Sequence, residues 1–247
     1  MDEISTLIKS ADGFLGKEKY IDAIRDYLKA AELVKDNNRE LIGEIYYKIS
    51  QAYSALEPKN TENSMKYAQM SLDLHSKDGD KDLEIVDRLN IFYILMDAGK
   101  AKESEVELDK ALSIARETGD SSLVNMVLLA RAELLSGRKG REEELLQIYR
   151  DVLETSGKEA DWESYFEAKR GLIENVRANG NLEDSLASAL KALDEIDEIS
   201  SHIKNKKDRK EFRTSLSYIY DMASDIAMEM ENVDEAIKIA QRSSEVE

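Results

Sequence analysis

Apolar residues recur at three- and four-residue steps along the chain, and chain breakers interrupt that pattern at regular intervals. Leu7, Ala11 and Phe14 mark a first helical face; Tyr20 then leads into Ala23, Ile24, Tyr27, Ala30, Ala31 and Leu33. Two rows of glycine supply the punctuation. Gly99, Gly140 and Gly180 are separated by steps of 41 and 40, and Gly79, Gly119 and Gly157 by steps of 40 and 38. The rows are offset by half a period, so the pattern reads breaker, helix, breaker, helix. A hairpin of two amphipathic helices cannot bury its own apolar face and must stack on a neighbour, so this pattern predicts a solenoid of helical hairpins.

Six copies can be followed. The second runs through Tyr46, Ile49, Ser50 and Tyr53, then Ser64, Ala68, Ser71 and Leu72; the third through Ile91, Phe92 and Leu95, then Ser104, Leu108, Ala111 and Leu112. The fourth holds Leu129 and Ala132, then Leu145, Tyr149 and Val152; the fifth Leu172 and Val176, then Ser185, Ala189 and Ala192. The sixth holds Tyr220, Ala223, Ser224 and Ala227, then Ala236, Ile237, Ala240 and Ser243. The residue opening each second helix falls at 23, 64, 104, 145, 185 and 236, in steps of 41, 40, 41, 40 and 51. Small residues let paired helices approach closely, and aromatics fill the gap to the next pair.

The first copy, Leu-x3-Ala-x2-Phe followed by Tyr-x2-Ala-x3-Tyr-x2-Ala, resembles the tetratricopeptide repeat. The resemblance covers essentially the whole chain and implies an all-α, right-handed superhelical solenoid of about six hairpins, residues 1–247 forming one unit. Two departures stand out. The period is about 40 rather than 34 residues, as in the longer repeats of kinesin light chains, which implies longer helices. The proline that commonly closes a repeat is missing, and Gly-Asp at 79–80 and 119–120 and Asn37-Asn38 are expected to end helices instead. The 51-residue step places about ten extra residues near 200–212, as a longer helix or an exposed loop, and marks the one candidate internal boundary.

Composition narrows the function. A net charge of −17 disfavours nucleic-acid binding, because affinity for phosphate backbones comes from cations. With no cysteine there are no disulfides, thiolate catalysis or Cys-based zinc sites. Met1-Asp2-Glu3-Ile4 lacks the basic and apolar stretches of a signal peptide, and no run is apolar enough to span a bilayer, so a cytoplasmic protein with no membrane partner is expected.

Chemistry-bearing patterns are sparse. His75 and His202 lie in different copies with no neighbouring His or Cys, and Gly137-Arg138-Lys139-Gly140 is too short for a phosphate loop. Asp78-Gly79-Asp80-Lys81-Asp82 begins like a calcium loop, but Leu83 and Leu89 stand where its glycine and closing glutamate belong. It reads as a turn whose acids face the next helix N-terminus. No catalytic residue, cofactor or metal is expected, so the chain is read as not an enzyme. Tyr27, Tyr53 and Tyr149 are expected to pack, and Trp162 either to staple over the preceding hairpin or to meet a partner.

The resemblance implies a concave groove lined by the first helix of each hairpin. Arg131 and Arg138, and Arg170 and Arg177, are each seven apart, and the pairs are 39 apart, so they should stack as one stripe. Tyr47, Lys48, Gln51, Asn90 and Tyr93 would continue the lining upstream. This predicts a groove for a protein or peptide, acidic or ending in a carboxylate, held by arginine forks. The competing reading pairs the arginines with Glu133, Glu167 or Glu174. The basic run Lys204, Lys206, Lys207, Arg209, Lys210 and Arg213 is read as an acidic-partner contact or as cations serving a helix C-terminus. Function is expected to be that of a scaffold or adaptor, with a regulatory sensor of a peptide or small ligand as the alternative. Sparse polar cover on the final helix, Val233 to Val246, and on Ile4, Leu7 and Ile8 leaves a homodimer open.

Overall fold

The computed structural model describes residues 3–34 and 38–244. Among these residues there are thirteen α-helices and no strand: α1 (Glu3–Leu15), α2 (Tyr20–Leu33), α3 (Arg39–Ser54), α4 (Thr61–Asp78), α5 (Lys81–Asp97), α6 (Ala101–Thr118), α7 (Ser121–Leu135), α8 (Glu142–Glu159), α9 (Trp162–Ala178), α10 (Leu182–His202), α11 (Lys206–Ser215), α12 (Ser217–Glu229) and α13 (Val233–Ser244). The chain divides into two compact units, Met1–Leu134 and Leu135–Glu247. The first packs α1 on α2, α3 on α4 and α5 on α6; the second packs α8 on α9, α9 on α10 and α12 on α13. The fourth copy's helices, α7 and α8, fall largely on either side of this division.

The six residues predicted to open second helices occupy one position. Ala23, Ser64, Ser104, Leu145, Ser185 and Ala236 are each the fourth residue of α2, α4, α6, α8, α10 and α13, and all are buried. Each backbone N–H donates to the carbonyl of the residue just before its helix, so the first full helical turn closes where the side chain enters the core. The small ones allow close crossing. Ser50 and Ser64 exchange hydroxyl-to-carbonyl bonds of 2.8 and 2.9 Å between α3 and α4, and Ser185 donates to the Ile173 carbonyl at 3.1 Å between α10 and α9.

Three of the turns between copies follow one recipe. A residue at positive φ ends one helix and an aspartate caps the next. Gly79 and Gly119 adopt φ 75° and 74°, while Asp80 accepts from the Leu83 N–H and Asp120 from the Ser122 N–H. The third such turn corrects the glycine metre. Gly157 lies inside α8, and the left-handed residue is Ala160 at φ 57°, followed by Asp161 capping α9. Caps at 79, 119 and 160 keep the period better than the glycines do. Five of the six turns within copies place a left-handed residue two before the second helix: Glu18, Gly99, Gly140, Gly180 and Glu231. Asn38 starts α3 as its cap rather than ending a helix, and Asn37 lies outside the described residues. The final helix runs to Ser244; the expected extension to Val246 also lies outside them.

The first unit's core joins Ala11, Tyr27, Ala30, Ile45 and Ile49, with Ile4, Leu7 and Ile8 half-buried against it, and continues through Ile85, Phe92, Leu108 and Val127. The second unit is centred on Phe166, Leu193, Ile196, Ile219 and Tyr220. Each fully buried large apolar side chain contributes about 1.5–3 kcal/mol. The 200–212 stretch is neither one longer helix nor an exposed loop: α10 extends to His202, and after a three-residue break a separate helix, α11, follows. No side chain of α11 is fully buried.

Candidate functional site

In the first unit, α3 and α5 bring together much of the predicted lining. Tyr47 accepts from the Gln51 amide at 2.9 Å; burial, and then the charge of Asp87, push its hydroxyl pKa up. Lys48 bonds Asp12 at 3.0 Å and Glu44 at 3.2 Å, and Tyr27 donates to the same Asp12 oxygen at 2.5 Å, tying α1, α2 and α3 at one point. Burial opposes the charge on Lys48, but the two carboxylates outweigh it and raise its pKa. Asn90 reaches from α5 to the Ser50 hydroxyl at 3.0 Å. Tyr93 is 44% exposed, with its ring 4.9 Å from Phe92 and edge-on to it.

Beneath this surface lies a pair that the sequence left unassigned. His75 Nδ1 is 2.7 Å from the Asp87 carboxylate, with both side chains buried. The opposite ring edge presses on Gly43, where a Cβ would stand 2.4 Å from Nε2. The hydrogen bond to Asp87 raises the His75 pKa, against desolvation, and the charges of Asp80 and Asp78 add to it. Among the described residues no three His, Cys, Asp or Glu side chains are grouped to hold a metal.

The four arginines do not form a stripe of free cations. Arg131 pairs with Asp109 of α6, Arg170 with Glu167 and Glu174 of its own helix, and Arg177 with Glu229 of α12 at 2.6 Å. Hydrogen bonding to Glu167 raises the Arg170 pKa further. Arg138 does not share a helix face with Arg131, because α7 ends at Leu135 and Arg138 sits in the following turn. Its side chain alone of the four has no partner among the described residues. Arg138 lines a cleft of about 320 Å³ in the second unit, together with Glu142, Tyr149, Glu174, Asn175 and Asn179. The tyrosine's seat there depends on Gly171, where a Cβ would lie 2.2 Å from the ring. Tyr149, like Tyr27, is buried, and Tyr53 stacks on Tyr67 at 5.9 Å; all three pack as expected.

The basic run is spent partly on its own helix ends. Arg209 donates to the Ile203 carbonyl at 3.1 Å, closing α10, and Arg213 pairs with Asp197. Trp162 is placed by its contacts with the elements that follow it. It packs on the cluster formed by α9, α10, α12 and α13, with its ring 5.7 Å from Tyr165.

No family model matches the chain, and no curated protein does. Solved structures do. The apo form of RapI superposes with a TM-score of 0.62 at 16% identity, covering 99% of this chain and 97% of that one. A Rap conjugation gene regulator of the plasmid pLS20, solved in complex with the Phr* peptide, gives 0.54 at 18%, covering 98% and 73%. A kinesin light chain from Podospora anserina with nearly identical TPR-like repeats gives 0.59 at 12%, covering 77% and 94%. No helix among the described residues is long and apolar enough to cross a membrane. The paired helices, their period of about forty residues and these superpositions together establish the fold as an all-α helical repeat of the tetratricopeptide type.

Proposed function

We propose that this chain is a non-enzymatic scaffold or adaptor that holds a protein or peptide against the first helices of its repeats. One observation carries the reading: the cleft of about 320 Å³ in the second unit joins an unpaired guanidinium, Arg138, to two amide side chains, Asn175 and Asn179. Side-chain amides can pair with both donors and acceptors of an extended backbone, and a free guanidinium forks onto a carboxylate. An acidic residue or C-terminal carboxylate is therefore the group assigned to Arg138, while Glu142 and Glu174 at the same cleft limit how much negative charge it accepts. Arg131, Arg170 and Arg177 enter the reading as ordering residues, already matched to carboxylates. Tyr47, Lys48, Gln51, Asn90 and Tyr93 form the corresponding surface of the first unit.

A sensor of a peptide is the second reading, supported by the Phr* peptide complex of the similar Rap conjugation regulator. Exposed Met228, Val233 and Ile237 support a homodimer through α12 and α13. A cytoplasmic setting is in keeping with the absence of cysteine. Affinity capture with wild-type chain and with Arg138→Glu, read by mass spectrometry, tests the scaffold. Partners held at this cleft should fall about ten- to a hundredfold in yield, the worth of a charged hydrogen bond. Equal recovery on both baits would reject the site.

A further inference from the structure

The extra helix that breaks the repeat period also builds a cleft. α11 buries no side chain fully, yet its Phe212 and Ser215 help line a cleft of about 420 Å³. Trp162 at the start of α9 and Leu216 and Tyr218 from the α12 side complete the apolar lining. Two carboxylates of α9, Glu163 and Glu167, join this lining. They differ in state. Glu167 is engaged by Arg170 and by the Tyr218 hydroxyl, whereas Glu163, one turn earlier, has no hydrogen bond or ion pair among the described residues. Among the described residues no cation lines the cleft itself; Lys207 and Lys210 of α11 line an adjoining hollow with Glu211 and Thr214, which meets the cleft at Ser215.

These features select the occupant by charge and shape. An anion would meet the uncompensated Glu163 carboxylate, and a neutral apolar group would desolvate Glu163 without compensating it. A planar cation satisfies both requirements, because a guanidinium stacks on an aromatic face and forks onto a carboxylate, which a lysine ammonium does less well. We propose that this cleft docks an arginine side chain of a partner polypeptide, with its guanidinium against Trp162 and forked onto Glu163. The site is separate from the Arg138 cleft and stands or falls independently of it.

Trp162 is the chain's only tryptophan, so its fluorescence reports this cleft alone. The full chain would be titrated with acetyl-Gly-Arg-Gly-amide and with the same peptide carrying citrulline, the neutral isostere of arginine. The arginine peptide should change the emission saturably and the citrulline peptide bind about tenfold more weakly. Glu163→Gln should weaken the arginine peptide by a similar factor and leave the citrulline peptide unchanged. Glu163 is exposed and off the core, so circular dichroism should show the variant folded. Equal affinity for the two peptides, an unchanged affinity in Glu163→Gln, or no saturable response in the wild type would each overturn the proposal.

Discussion

His75 of α4 meets two other helices, through a carboxylate of α5 and the bare Cα of Gly43 in α3. Replacing Gly43 by alanine would drive a methyl group to 2.4 Å from a buried ring nitrogen, so Gly43→Ala should cost about 1–3 kcal/mol in urea unfolding. The pair also sets a pH dependence. Asp87 raises the His75 pKa above its ordinary 6.5, so the folded chain holds a proton that the unfolded chain releases first. That stabilisation is complete below about 6.5 and is lost as pH rises through the higher folded value. Unfolding midpoints measured across this window should fall with pH in the wild type relative to Asp87→Asn, in which the proton-holding partner is gone; parallel curves would refute it. The sequence could not show this contact. Asp87 is twelve residues away across a turn, and neither residue has a motif around it. The arginines illustrate the same limit. The partners Asp109 and Glu229 stand 22 and 52 residues from Arg131 and Arg177, at distances that only the folded chain closes.

The helices themselves were far more legible. Apolar and small residues at a fixed offset identify six second helices, because the fourth position of each must pass into the core whatever its loop does. Where the reading slipped, it followed glycine instead of geometry: Gly157 is absorbed by α8, and the strained conformation falls on Ala160. A side chain at positive φ is disfavoured by about 1 kcal/mol, so Ala160→Gly should raise stability by that amount. Asp161→Ala, which deletes the adjoining cap, should lower it by a similar amount. Measuring both by thermal unfolding checks the turn from its two sides, and a destabilised Ala160→Gly would contradict the assignment. α11 was illegible as a helix separate from α10 because none of its side chains is fully buried, leaving no apolar stripe to read.

For the molecule as a whole, a charge of −17 coexists with nine of the thirteen arginines matched to carboxylates among the described residues, so its free surface is acidic and its remaining recognition is local. Self-association would then depend on apolar contact. Under the proposed homodimer, light scattering should give a dimer mass that Ile237→Lys reduces to one chain, since this 51% exposed side chain would carry a charge into the proposed dimer surface. A monomer mass for the wild type would dismiss the dimer. The insertion of α11 has one more consequence. It enters between two copies, at the joint after Ile203, and both copies keep their internal spacing on either side. That joint is therefore a splice point where chain length is free. An epitope tag or a small reporter protein placed between Lys204 and Asn205 should be carried without loss of folding. The same cargo inserted between Gly180 and Asn181 would instead pry α9 away from α10, which packs directly on it.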